Sequence, residues 1–151
     1  MSEKNDNLLE GLISLGCRVE GVDGTTLVSL PDDSASFVFE RLGGWLYLGT
    51  TFMAPEEFTD FEYVSTLDHF LLELHHRNLG CRFSYADVGF LSIGAELYPN
   101  QQKPDDVLQI MEQISFIFEV CRPMCEQIIE TGQIPSGDEI DDAFGVCDNL
   151  H

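Results

Sequence analysis

Residues 45–55 read WLYLGTTFMAP. Leu46, Leu48, Thr50 and Phe52 alternate with Trp45 and Tyr47, which is the period of a strand, and the alternation leaves large apolar groups on both of its sides. Pro55 closes the run. Beyond it Val64, Leu67, Phe70, Leu71 and Leu74 recur at helical spacing until Asn78 and Gly80 end the segment. A chain that passes from a two-residue to a 3.6-residue period at one proline builds sheet first and helix second, the grammar of an α+β fold.

The same reading extends upstream. Leu8, Leu12 and Leu15 sit at helical spacing from residue 5 onward, Leu9 and Ile13 widen the stripe, and Gly16 follows where helices commonly stop. Residues 17–22 then lead into Asp23-Gly24, a two-residue hairpin signal, and the β-branched run from residue 25 to Leu30 returns as its partner before Pro31 and Asp32 turn the chain. Phe37, Val38 and Phe39 open a third strand, and Gly43-Gly44 turns it into the fourth at Trp45.

Downstream, residues 82–86 alternate polar with aromatic, and residues 87–89 turn. Leu91, Ile93, Ala95 and Leu97 then point one way while Ser92, Gly94 and Glu96 point the other. Pro104, Asp105 and Asp106 begin a last helix, with proline at its first position and acids at the positive end of its dipole. Val107, Ile110, Met111, Ile114, Ile117, Phe118, Cys121, Cys125 and Ile128 form its apolar face, and Pro123 inside that run predicts a kink. The expected order is α-β-β-β-β-α-β-β-α, about six mostly antiparallel strands with three helices. Residues 1–133 form the domain, and 134–151 form an acidic C-terminal tail, mobile and of little weight in folding, since Asp138, Glu139, Asp141 and Asp142 repel one another.

Composition bounds the partners. In 151 residues, 27 Asp and Glu stand against 7 Lys and Arg, a net charge of −20, with 44% hydrophobic residues. That is enough apolar content for one core. Seven scattered basic residues cannot neutralise a phosphate backbone, so nucleic acid is excluded as a partner, and an anionic membrane surface is disfavoured. No apolar run reaches the roughly 20 residues that span a bilayer. The first residues, MSEKNDNLLEGL, have neither the basic region nor the apolar core of a signal peptide, so a cytoplasmic protein is expected. Cys17, Cys81, Cys121, Cys125 and Cys147 make an odd five without a CxxC pair, which fits free thiols in a reducing compartment.

Candidate chemistry is sparse. His75 and His76 are adjacent and diverge by about 100° on a helix, so they do not share an ion. His69 and His76 lie two turns apart on a polar face, where Glu73 is expected to pair with Arg77 at i+4. Cys121 and Cys125 have the spacing to clamp a soft metal, but they fall in the middle of an apolar stripe, where Cys behaves as a small hydrophobe. Acid pairs such as Asp32-Asp33 and Asp105-Asp106 belong to turns and caps. No phosphate loop follows Gly43-Gly44. No catalytic, metal or cofactor residue is assigned, and no enzyme is expected; a thiol- or metal-dependent enzyme is the weakest of the readings. Apolar groups in search of cover remain: Phe116, opposite the stripe of the last helix among Gln109, Gln113 and Gln127, and Trp45 and Tyr47 on the second side of the central hairpin. These three are the candidate partner-binding residues.

Three phrases in this order, residues 45–55, residues 71–80 (LLELHHRNLG) and residues 82–97 (RFSYADVGFLSIGAEL), with Arg122-Pro123 in the last helix, resemble the bacterial YbjN family and the related type III secretion (Tir-type) chaperones. The resemblance spans roughly residues 8–133, and the acidic tail and the paired helical cysteines depart from it. It implies a type III secretion chaperone-like fold and a non-catalytic, chaperone-like or regulatory module that binds a protein client or regulatory partner as a homodimer. A dedicated chaperone for one secreted client is the alternative it implies.

Overall fold

A computed structural model describes residues 2–57, 62–77, 79–85 and 90–145, the side chains of 2–6 and 55 excepted. The order is α1 (Ser2–Ser14), β1 (Arg18–Val22), β2 (Thr25–Ser29), β3 (Ser36–Leu42), β4 (Trp45–Met53), α2 (Val64–His75), β5 (Arg82–Tyr85), β6 (Leu91–Leu97), α3 (Pro104–Thr131) and α4 (Gly137–Phe144), with short 3-10 turns at Pro55–Glu57 and Pro99–Gln101. The six strands form one antiparallel sheet in the order β1-β2-β3-β4-β6-β5. The α+β class, the strand count and the order up to the third helix are as the sequence predicts. A fourth helix is added.

Asp23 and Gly24 adopt φ of 51° and 81°, the left-handed pair that a tight two-residue hairpin requires. Leu46 and Leu48 pair with Leu97 and Ala95, and this face of the sheet meets α1, α2 and α3. Val28, Phe37, Leu48 and Ile93 from the strands are fully buried, as are Leu12, Leu67, Phe70, Met111, Ile114 and Ile128 from the helices. Gly11 lets α1 approach the start of α3, since a Cβ there would stand 2.9 Å from Cβ of Pro104.

Helix α3 runs through Pro123 as one element. Beside that proline, Arg122 donates to the Phe52 carbonyl, to Glu57 and to Glu126, and so ties the end of β4 to the helix. Two cysteines of the stripe, Cys121 and Cys125, are completely buried. By contrast Leu15, expected on the stripe of α1, and Ile13, expected to widen it, are 38% and 54% exposed: the helix ends at Ser14, and it is Leu8 and Leu12, with Leu9 partly buried beside them, that pack against the core.

The segment read as a mobile tail is helical from Gly137 to Phe144. Ser136 Oγ accepts from the Glu139 amide while the Glu139 carboxylate accepts from the Ser136 amide, a reciprocal cap. Ile140 and Phe144 are 8% and 9% exposed against the core, and Asp141 accepts from Arg77 at the end of α2. Acid repulsion is offset here by the helix dipole at Asp138 and Glu139 and by that arginine. Arg77 is thereby taken from Glu73, which instead lies 3.6 Å from His69. Asn78, the turn at 87–89, Val146 and Cys147 lie outside the described residues.

Candidate protein-binding surface

Trp45 enters β4 directly after the Gly43-Gly44 turn, on the face of the sheet opposite Leu46 and Leu48. Its ring leans on Tyr98, centroids 4.3 Å apart at 49°, and the two are 40% and 52% exposed. Leu42, paired with Trp45 across the turn, is 48% exposed. The loop that carries Tyr98 is fixed in place. The Tyr98 amide donates to the Gln101 side chain, and Gln102 Nε2 donates to the carbonyls of Gly44 and Leu97, at 3.0 and 3.1 Å. An aromatic pair with an exposed leucine beside it therefore stands on a rigid end of the sheet. Tyr98 and Leu42 were not singled out in the sequence, because only the β4–β6 register, Leu46 opposite Leu97, brings residue 98 beside residue 45.

Tyr47 is half-buried on the same face. It lies along the sheet over Gly49 and Gly94, which pair with each other; a Cβ on Gly94 would stand 2.7 Å from Tyr47 Oη and 2.7 Å from the Leu48 carbonyl oxygen. The two glycines make the trough that holds the ring. Burial pushes the Tyr47 phenol above its ordinary value, opposed by Arg82 and reinforced by Glu96 and Glu40. Tyr47 thus covers part of this face from within the chain and presents its edge to solvent among charged neighbours.

Phe116 sits on α3 at 50% exposure. Because α3 packs on the covered face of the sheet, Phe116 and the Trp45 pair belong to different layers. The three candidate residues form two surfaces rather than one.

Burial pushes the Cys81 and Cys121 thiols up to about 12 and raises Cys17 and Cys125 as well, so these thiols are protonated at neutral pH, whereas a nucleophile or ligand must be a thiolate. Among the described residues no three His, Cys, Asp or Glu side chains group to hold a metal ion. His75 has a structural part: its Nε2 accepts from the Phe83 amide at 2.9 Å, on the free edge of β5. Among the described residues no helix is long and apolar enough to cross a membrane.

No family model and no curated protein matches the chain. Among solved structures, a chain in the crystal structure of the ExsC–ExsE complex is similar, with a TM-score of 0.50 at 14% identity, over 82% of this chain and 94% of that one. At that identity the likeness is one of fold. The architecture is a type III secretion chaperone-like α+β fold.

Proposed function

We propose that the chain is a non-catalytic, chaperone-like or regulatory protein-binding module of the YbjN type, cytoplasmic and homodimeric, needing no cofactor and binding neither nucleic acid nor membrane. Phe116 carries this reading. A phenylalanine half open to water near the middle of the longest helix has a use when a second copy covers it, since buried aromatic anchors dominate protein interfaces. Trp45 and Tyr47, with Tyr98 and Leu42, then remain on the open sheet face for a client. The second reading, a dedicated type III secretion chaperone, is favoured by the likeness to a chain solved within a complex of two proteins.

Sedimentation across a dilution series tests the dimer. Wild type is expected to associate reversibly, and Phe116→Ala to weaken association by about 1–3 kcal/mol while leaving the monomer fold intact. A wild type that stays monomeric at the highest concentration defeats the dimer, and a change within about 0.5 kcal/mol in the variant moves the interface away from Phe116. Suppression of aggregation of a heat-unfolded client protein tests the other surface: Trp45→Ala is expected to lose it while dimerising normally.

A further inference from the structure

Strands β3 and β4 separate at one end. Their ladder runs from Leu42–Trp45 to Val38–Gly49 and stops there, although β3 begins earlier, at Ser36, and β4 continues to Met53. Past this fork Ser36 and Phe37 pair with β2, Thr50 and Thr51 pair with β6, and the β4–β6 register shifts between Thr51 and Met53. A bulge of this kind re-aims side chains and is common beside binding sites. A cleft of about 210 Å³ opens at the fork, between Thr50 and Thr51 of β4, Ser34 of the loop before β3, and Ser115, Phe118 and Glu119 of α3. That volume is below the roughly 300 Å³ at which drug-sized sites begin, so its occupant is small.

The lining carries one ionisable side chain, and it is an acid. Glu119, exposed on α3, makes no ion pair or side-chain hydrogen bond among the described residues, and neither do the hydroxyls of Thr50, Thr51 and Ser115. The fourth hydroxyl, Ser34, donates to Asp32 at 2.6 Å, which leaves its oxygen as an acceptor. Two arginines in neighbouring segments are already committed. Arg122, three residues along α3 from Glu119, is held by Glu57, Glu126 and the Phe52 carbonyl, and Arg18 by Asp33; neither lines the cleft. On the apolar side, the half-buried Phe118 ring is set edge-on to Phe52, centroids 4.9 Å apart, and Phe37, which also lines the cleft, is fully buried.

From this arrangement we infer that the cleft is a binding site for a small organic ammonium, whose head is held by the Glu119 carboxylate and the hydroxyl oxygens and whose apolar body lies against the Phe118 ring. An ammonium has three donors and no acceptor, the complement of a wall made of a carboxylate and hydroxyl oxygens. An aromatic face adds to its attraction. The net charge of −20 draws cations toward the protein at long range, and the cleft gives one of them direct contacts. The inference is independent of the protein-binding reading.

Calorimetric titration of the full chain at neutral pH with benzylamine, n-butylamine and uncharged benzyl alcohol tests it. Benzylamine or n-butylamine is expected to bind saturably, one per chain, with benzyl alcohol at least about tenfold weaker. The tighter of the two amines identifies an aromatic or an aliphatic body. Glu119→Gln should weaken amine binding about tenfold, and Thr50→Val should weaken it severalfold. Glu130→Gln, at an exposed position farther along α3, removes the same charge and should leave the affinity unchanged. That control separates a held ammonium from diffuse attraction to an acidic protein. Absence of saturable binding by both amines, equal binding of benzyl alcohol, unchanged affinity in Glu119→Gln, or an equal loss in Glu130→Gln would overturn the site.

Discussion

Strand β4 presents two faces that differ by one residue and are covered by different means. On one, Leu46 and Leu48 are 1% and 0% exposed beneath helices contributed by distant parts of the chain. On the other, Tyr47 lies in a trough of Gly49 and Gly94, and Trp45 shares its exposure with Tyr98. The covered face gains stability from area removed from water. The open face keeps aromatic groups at the surface and limits the cost by folding one of them flat, which leaves apolar contact available to a partner on a side where no stability is lost when it leaves.

The difference between the faces should be largest in Leu48→Ala, expected to lose about 2–5 kcal/mol by denaturant unfolding because the surrounding side chains cannot close the gap. A loss comparable to that of an ordinary surface change would mean the covered face is not the core. Next in size is deletion of residues 136–151, which removes Ile140, Phe144 and the Arg77–Asp141 pair; a fall in Tm of several degrees is expected, from roughly 1–3 kcal/mol. An unchanged Tm would show that α4 adds nothing to the helical layer.

Gly94→Ala probes the open face. Its Cβ meets the Leu48 carbonyl as well as the Tyr47 hydroxyl, so moving the ring alone does not relieve it; about 1–3 kcal/mol is expected. A neutral result would show that the trough is looser than described.

Smallest is the pH effect at the sheet edge. Burial holds His75 below its ordinary value of 6.5, so between the two values the unfolded chain binds the proton and the folded chain does not. This contribution is full above about pH 6.5 and is lost as pH falls through the lowered folded value, where the ring must give up the Phe83 amide. Unfolding of wild type and His75→Gln between pH 7.5 and 5.5 should differ in slope, wild type losing more toward acid. Identical slopes would remove the histidine from the account.

Elements set by local pattern were legible before any coordinates. The alternation at 91–97, the helical stripe at 64–74 and Asp23-Gly24 each express their structure within a few residues. What was missed depended on competing or distant signals. Ser136 and Glu139 have the capping spacing and Ile140 and Phe144 the helical one, but four acids in the same stretch argued for repulsion, and the arginine that offsets it lies 64 residues away. Phe116 could be placed on the outside of its helix by period alone. Trp45 could not be paired with Tyr98, nor Tyr47 laid across Gly94, without the register of two strands separated by α2.

The chain contains one tryptophan. Its indole lies 4.3 Å from the ring of Tyr98, directly after the Gly43-Gly44 turn and in a different layer from Phe116. Light absorbed by Tyr98 therefore passes to Trp45 with high efficiency, and the emission colour follows the wetness of this single corner. On the proposed function, a client covering the open face is expected to shift that emission to the blue, and pairing of two copies through α3 to leave it unaltered. The protein is thus supplied with an optical reporter that separates its two surfaces without any label.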